Sequence, residues 1–562
     1  MLLPVMTAAL ATALLLHLAF PVAGPMPVWR CLFAWFALVP LLVALVRLAF
    51  PGDPASRALT LRPLWAFLVG WLCGALWFAV HCSWVDRTMH LYGGMGSALA
   101  AISLLLFSLF LGVWFGLFAF AFVLAALALR QRGFSAPVVC SVAPILWVAT
   151  EFALARIPSF PWDELGYTQI DNGLLTRLAP WTGVMGISFV LAAVNALFAA
   201  AFLATARRRQ LFALASAITF IGLSGFLLHA PTPQPTATAM LVQPNLNVIT
   251  DDVWLDAQWN AHMAQFAQLA TNCRAPYFTG MPGIAPAQVG DCAPGTTLQP
   301  DLIAWPESPA PFRDIDPRFR KAMAAIATQS QAPLVVGDLG IDISPGPDGR
   351  MNDHEYNSAS VVAPSGAFLG RYDKIHLVPF GEYVPARELL FFVHQITAQL
   401  TDLDRGTERR VFRLARTGGS AHSYGIFLCY ESIFGDEVRQ FVQLGADALV
   451  NLSDDGWYGD TNAPWQHLAM TRMRAIENDR WLLLDTNNGI TAVIDPRGVV
   501  RQSIARNQVG VLVAHLGFEQ RLTWYTTHGD LLAIACAILS MVLLLWSTRV
   551  LVHAAVARQP SR

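Results

Sequence analysis

Charge is what this 562-residue chain has least of. Asp, Glu, Lys and Arg make up 13% of it, against roughly 25% in soluble domains. Within that small share lysine almost vanishes: Lys321 and Lys374 stand against 35 arginines. The net charge is -1 and no basic block occurs, which excludes a nucleic-acid-binding protein. Low-complexity tracts are absent and 55% of the residues are apolar, which excludes a disordered chain. There is no Cys-x-x-Cys, and His354, His376, His394 and His422 lack ligand-like spacing, so no metal site is expected. No glycine-rich phosphate loop is present either.

The shortage is uneven. Residues 1–230 hold 18 charged side chains and residues 231–562 hold the other 57. A bilayer core of about 30 Å takes roughly 20 apolar residues as a helix, and eight runs approach that length: 4–22, 28–50, 64–84, 97–129, 137–155, 178–205, 211–229 and 530–552. The fourth exceeds one crossing, a surplus that tilt or a helical extension absorbs. The first lacks a basic leader, so it reads as a retained anchor rather than a signal peptide. The organisation expected is a seven-helix transmembrane domain over 1–230, a water-exposed domain over 231–529, and an eighth helix with its tail over 530–562.

Arginine in the short connections sets the orientation. One side collects Arg47, Arg57, Arg62, Arg130, Arg132, Arg207, Arg208, Arg209, Arg549, Arg558 and Arg562, while the other has Arg30, Arg87, Arg156 and Arg177. Both termini are therefore expected in the cytoplasm and 231–529 on the outer face, which is the periplasm in a bacterium with an outer membrane. The loop Phe160-Pro161-Trp162-Asp163-Glu164-Leu165-Gly166-Tyr167 reads as an interfacial aromatic anchor or as a membrane-surface platform for a lipid. Glu151 and Arg156, near the end of the fifth run, are expected to pair.

From Met240 onward short β-type runs alternate with amphipathic stretches, the grammar of an α/β domain. Candidate strands are 239–243, 302–305, 334–337, 359–362, 424–428, 448–451 and 492–494; candidate helices are 258–270 and 317–329. Three residues take comparable places in this alternation. Glu307 follows the strand ending in Ala304-Trp305, Lys374 follows Gly370-Arg371-Tyr372-Asp373, and Cys429 ends Tyr424-Gly-Ile-Phe-Leu428. Strand ends are where α/β active sites collect. A thiol, a carboxylate to take its proton and a fixed cation to face an oxyanion make a complete set for acyl transfer. Taken singly, the cysteine also reads as a small buried residue and the glutamate as a solvated one. Lys374 is nearly the chain's only lysine and sits in Tyr372-Asp-Lys-Ile-His-Leu-Val-Pro-Phe-Gly-Glu-Tyr-Val-Pro385, and a compact ammonium suits a single developing oxyanion.

Trp305-Pro306-Glu307, Tyr372-Asp373-Lys374, Phe380-Gly-Glu-Tyr-Val-Pro385 and Cys429-Tyr430-Glu431 resemble the motifs of the carbon-nitrogen hydrolase (nitrilase) superfamily. With eight apolar runs around them, and with Phe160-Pro161-Trp162 before Gly166-Tyr167, Gly183-Val-Met-Gly-Ile-Ser-Phe189 and Asn195, the chain is similar over nearly its whole length to its apolipoprotein N-acyltransferase branch. This resemblance implies a multi-pass α-helical membrane domain of eight transmembrane helices joined to a nitrilase-like αββα sandwich, with Glu307, Lys374 and Cys429 as the triad. It implies transfer of an sn-1 acyl chain from a phospholipid, typically phosphatidylethanolamine, to Cys429 as a thioester. The chain then passes to the N-terminal amine of a diacylglyceryl-modified apolipoprotein. Glu382, Tyr430 and Glu431 match supporting residues; Trp254, Trp457 and Tyr458 match aromatics placed near the substrate, the last two on a mobile lipid-facing arm over 454–460. Core packing is the rival reading of those aromatics.

The expected partners are thus the phospholipid donor, the apolipoprotein acceptor and the bilayer. No cofactor is called for, because the donor ester is already activated, and the chain is expected to act as a monomer. Two other readings use the same residues: a membrane-anchored amidase with water as acceptor, and a transporter with an appended outer domain. Seven spans ahead of the site favour a lipid-borne acceptor over water, and the scarcity of ionisable residues within the spans disfavours transport. Cys273 and Cys292 bracket a Pro/Gly-rich stretch, and on an oxidising face they are expected to form a disulfide; Cys31, Cys73, Cys82, Cys140 and Cys536 read as apolar packing.

Overall fold

Hydrocarbon offers backbone N–H and C=O groups no water, so long apolar runs settle as helices that satisfy those groups internally. The computed structural model describes residues 2–22, 24–50, 61–228, 233–247, 263, 288–289, 299–307, 312–345, 351–384 and 402–557. Among them seven helices are long and apolar enough to cross a membrane: Val28–Ala49, Arg62–His81, Ser97–Gln131, Ala136–Arg156, Val184–Leu203, Arg208–Leu227 and Leu531–Val556. The run expected over 4–22 forms the apolar helix Pro4–Ala19, which is shorter than these seven. The long fourth run is a single helix of 35 residues, Ser97–Gln131. It crosses Arg62–His81 at close range where Gly74 removes a side chain: a Cβ there would lie 2.8 Å from Phe115 Cβ and 2.9 Å from Gly112 Cα, and small residues permit such helix approach in membranes.

The α/β part holds two sheets. Strands β1 (Ala237–Gln243), β2 (Gln288–Val289), β3 (Leu302–Trp305), β4 (Leu334–Pro345), β5 (Met351–Val362), β6 (Phe368–Asp373) and β13 (Gly510–Leu516) form one; β7 (Val411–Leu414), β8 (His422–Leu428), β9 (Ala448–Ser453), β10 (Leu482–Thr486), β11 (Thr491–Ile494) and β12 (Val500–Ile504) form the other. The orders are β2-β13-β1-β3-β4-β5-β6 and β12-β11-β10-β9-β8-β7. Each has a parallel centre, β1-β3-β4 and β8-β9-β10, flanked on both sides by antiparallel pairings, and β2 adds a parallel pairing to β13 at the edge of the first sheet.

Period-two alternation builds the layers. Ala239, Leu241 and Ala304 of the first sheet pack with Ile426, Leu428 and Leu449 of the second. The intervening Met240, Val242, Ile303 and Trp305 pack outward with Phe319, Met323 and Ile326 of the helix Pro317–Ser330. Helices Gly435–Gln443 and Ala463–Asn478 contribute Val438, Phe441, Val442 and Ala475 to the cluster around the second sheet. The result is a helix–sheet–sheet–helix sandwich. Each fully buried Leu or Ile side chain contributes roughly 1.5–3 kcal/mol, so the inner layer is what keeps the strand ends in fixed relation.

Two expectations about the membrane side are corrected. Glu151 and Arg156 do not pair: five residues apart on a helix, they point about 140° away from each other. Glu151 Oε1 instead accepts from Trp147 Nε1 and the Leu165 N–H, both at 2.8 Å, while Arg156 reaches Asp436 at 3.0 Å and Asp530 at 2.5 Å. The loop 160–167 is not an exposed anchor or platform, because Trp162 and Tyr167 are only 1% and 2% exposed. It is packed against the α/β part: Trp162 Nε1 donates to Gln466 Oε1 at 2.8 Å, and Arg474 donates to Tyr167 Oη at 2.9 Å. Arg57, Trp254, the helix expected over 258–270, the Cys273–Cys292 pairing, Arg558 and Arg562 lie outside the described residues.

Candidate active site

Parallel strands aim their C-terminal ends at a common edge, and the loops leaving them are free of ladder duties. Glu307 leaves β3, Cys429 leaves β8, Asp454 leaves β9 and Lys374 follows β6. Leu428 lies opposite Leu452 in the β8–β9 register, so the residues that follow both strands emerge side by side. Glu307, Lys374 and Cys429 are buried, at 5%, 1% and 5% exposure.

Lys374 Nζ lies 2.8 Å from Glu307 Oε1 and 2.9 Å from Glu382 Oε1. Burial works against its charge, but the two carboxylates beside it hold its pKa well above the ordinary lysine value. It is a fixed cation. Burial and the Glu307 charge push the Cys429 thiol well above the usual range, with Lys374 acting in the opposite sense. The thiol therefore rests protonated and needs a base for activation, and Glu307 is the carboxylate whose charge bears on it most. Cys429 has φ 43°, a left-handed conformation that costs a side-chain-bearing residue roughly 1–2 kcal/mol and makes a sharp turn from strand to the short 3₁₀ segment Cys429–Ile433.

Glu382 is held through its second oxygen, which accepts from the Val378 N–H at 2.7 Å. Glu431 has a different part. Its Oε1 accepts from Tyr372 Oη at 2.8 Å and from the N–H groups of Ile375 and His376 at 2.8 and 3.1 Å, and its Oε2 accepts from the Leu428 N–H at 2.8 Å. It ties the loop that carries Lys374 to the strand end that carries Cys429. Tyr430 Oη donates to the Ser159 carbonyl at 3.2 Å and so connects the turn that carries Cys429 to the membrane helices. Trp457 is 41% exposed and rests its ring 5.4 Å from Tyr92, whereas Tyr458 is buried against Trp84 and Trp162 at 5.1 and 5.8 Å. Of these two aromatics only Trp457 offers a free face. Trp254 lies outside the described residues.

The sequence reading missed Asn357. Its amide donates to Glu307 Oε1 at 2.7 Å and Glu382 Oε1 at 2.5 Å, bracing both carboxylates from the middle of β5. A polar residue in a strand that turns buried along its length was the available signal.

A carbon-nitrogen hydrolase model matches residues 292–524, and an apolipoprotein N-acyltransferase N-terminal domain model matches residues 12–197. The chain is 31% identical over 540 residues to the apolipoprotein N-acyltransferase of Geobacter metallireducens, covering 94% of this chain and 92% of that one. The chain belongs to the apolipoprotein N-acyltransferase family. The protein of that name from Methylococcus capsulatus is 32% identical, covering 82% of this chain and 84% of its own length. Among solved structures, an amidase from Nesterenkonia sp. aligns with 15% identity and a TM-score of 0.34, covering 52% of this chain and 94% of that one. The chain is thus an acyltransferase of lipoprotein maturation: a bacterial membrane protein whose apolar helices carry a nitrilase-like domain.

Proposed function

We propose that Glu307, Lys374 and Cys429 are the catalytic triad and that the enzyme moves an sn-1 acyl chain from a phospholipid, typically phosphatidylethanolamine, through a Cys429 thioester. The acceptor is the N-terminal amine of an S-diacylglyceryl-cysteine apolipoprotein. The observation that carries this reading is the ammonium of Lys374 set between Glu307 and Glu382 in the buried site that also holds the Cys429 thiol.

In the first half-reaction Glu307 takes the Sγ proton as sulfur attacks the ester carbonyl. Lys374 faces the tetrahedral oxyanion. The C–O bond breaks, and the proton held by Glu307 goes to the departing glycerol oxygen, releasing a lysophospholipid. In the second, the neutral amine attacks the thioester carbonyl and gives its proton to Glu307; the C–S bond breaks and the thiolate recovers that proton. Splitting the exchange lowers each barrier, and the thioester makes amide formation downhill.

Residues 1–230 and 530–562 then form the membrane domain and 231–529 the catalytic domain. The arginine asymmetry supports a periplasmic catalytic domain with both termini cytoplasmic. The interlocked loop 160–167 and Tyr430–Ser159 contact support catalysis at the bilayer surface.

Incubation of the detergent-solubilised full chain with acyl-labelled phosphatidylethanolamine tests the reading. A hydroxylamine-sensitive label on the protein, absent from Cys429→Ala, is the expected result. Label that survives in Cys429→Ala overturns it.

A further inference from the structure

Around the carbonyl of the proposed nucleophile lies a polar cluster that the two half-reactions above do not use. Its centre is His467, fully buried on the helix Ala463–Asn478. His467 Nδ1 lies 3.0 Å from Asp455 Oδ1, and Nε2 lies 3.2 Å from the Cys429 carbonyl oxygen and 2.7 Å from Ser432 Oγ. Asp455 is also buried, and the same Oδ1 accepts from Ser453 Oγ at 2.9 Å. Thr471 Oγ1 donates to Ser432 Oγ at 3.0 Å.

The Asp455 carboxylate can only accept, so Nδ1 carries a proton. Its charge, 3.0 Å away, raises the ring's pKa against the effect of burial, which favours the doubly protonated ring that donates from Nε2 to the Cys429 carbonyl. The other groups that bear on the ring are Glu307 from the β3 loop and the Tyr458 ring at 6.3 Å.

We infer that His467 is a positioning residue for Cys429: as an imidazolium anchored by Asp455, it holds the nucleophile's carbonyl and fixes the turn that presents the thiol. Two consequences make this more than packing. Cys429 sits at φ 43°, a conformation that persists only where the surroundings over-determine it, and the bond to its carbonyl oxygen is one that the left-handed turn exposes. That oxygen also belongs to the same peptide unit as the Tyr430 N–H. A charge-assisted bond to the oxygen polarises the unit and strengthens the N–H as a donor, next to the sulfur where a tetrahedral oxyanion forms. Asp455 in turn begins the segment Asp455–Tyr458, so one ion pair registers the nucleophile's turn against the segment bearing Trp457.

This rests on Cys429 being the acylated nucleophile, so the test has an arm that needs no acyl donor. In the full-length enzyme, His467→Gln and Asp455→Asn are each compared with the parent for phospholipid labelling of Cys429, for iodoacetamide alkylation of Cys429 read by peptide mass, and for melting temperature. Expected are labelling rates at saturating donor lowered roughly 10- to 100-fold, the scale of a misplaced reacting group. The half-saturating donor concentration should stay within about twofold, and alkylation should slow by about tenfold. Labelling at the parent's rate in the folded variants overturns the proposal. So does a loss explained wholly by melting of both variants, which would assign His467 to stability alone. If the parent itself takes no label from phospholipid, the acyl-donor reading fails, and equal or unequal alkylation rates still decide the role of His467.

Discussion

The backbone N–H of Asp454 donates to Glu307 Oε2 at 3.0 Å, so the residue that opens the 454–460 segment is tied directly to the carboxylate proposed as the base for Cys429. Glu307 Oε1 is already taken by Lys374 and Asn357. Both oxygens are thus oriented before substrate arrives, which is what a base working in a desolvated site requires.

Replacing the proposed base tests its chemistry apart from its fold. In Glu307→Gln the amide oxygen keeps one contact but cannot take the thiol proton. Acylation of Cys429 should fall by roughly 10²–10⁴-fold, the usual scale for general-base loss, while the melting temperature stays near that of the parent because Lys374 retains Glu382. A labelling burst at the parent's rate in Glu307→Gln would remove Glu307 as the base.

Asn357 makes a subtler prediction. Its amide stands between two carboxylates that share one ammonium, and without it Lys374 is left as the donor that bridges the net negative pair. Asn357→Ala should lower acyl transfer by roughly 10- to 100-fold through a displaced Glu307. Asn357→Asp adds a third carboxylate, which raises the pKa of its neighbours and should move the acidic limb of the acylation profile to higher pH. Rates measured from pH 5 to 9 for the two variants distinguish displacement from charge.

How far these residues were legible in the sequence follows from what each depends on. Glu307, Lys374 and Cys429 stand beside strand ends and within ordered local motifs, so their spacing along the chain carries their meaning. Asn357, His467 and Asp455 depend on what the two sheets and the helix Ala463–Asn478 bring against them, from 12 residues away for Asp455 and His467 to 50 for Asn357 and Glu307, and no local pattern records that. The same holds for the loop 160–167. Its aromatic composition is that of an interfacial belt, and only the docking of the α/β part makes it interior. Strands β2, β6, β7 and β12 escaped because they are edge strands that are short or polar, with weak alternation; β10 and β13 were missed although they carry the continuous apolar runs of buried strands.

Buried acids also give the fold a pH dependence whose sign can be worked out. Burial pushes Asp454 up to about 8 and Glu477 up to about 7. Below about pH 4 both are protonated whether the chain is folded or not. As pH rises the unfolded chain ionises first and the folded chain resists, so stability declines through the window up to pH 8 and levels off above it. His467, raised by Asp455 against the effect of burial, acts in the same direction: its contribution is full below about 6.5 and is lost as pH passes its folded value. His376, lowered by burial, acts oppositely. The melting temperature of the full chain in detergent should therefore fall between pH 5.5 and 8.5 at constant ionic strength, and a rise across that range would contradict the burial of these groups.

Glu431 separates a supporting role from a chemical one. Four donors converge on its carboxylate: Tyr372 Oη and the N–H groups of Ile375, His376 and Leu428. None of these is a reacting group, yet Ile375 and His376 directly follow Lys374 and Leu428 directly precedes Cys429. Glu431→Ala would strand four buried donors, each costing roughly 1–3 kcal/mol when unsatisfied, with water entering the gap to recover part of it. A net loss of about 3–5 kcal/mol is expected, the scale of removing one buried charged partner, together with loss of acylation. Glu431→Gln should lie between Ala and the parent in stability, because its oxygen still accepts while its NH₂ turns a donor against a donor. Thermal melts and labelling rates measured side by side should then fall together across the Glu431 series, in contrast to Glu307→Gln, where the rate falls and the melt does not. An inactive but fully stable Glu431→Ala would place this carboxylate in the chemistry instead of beneath it.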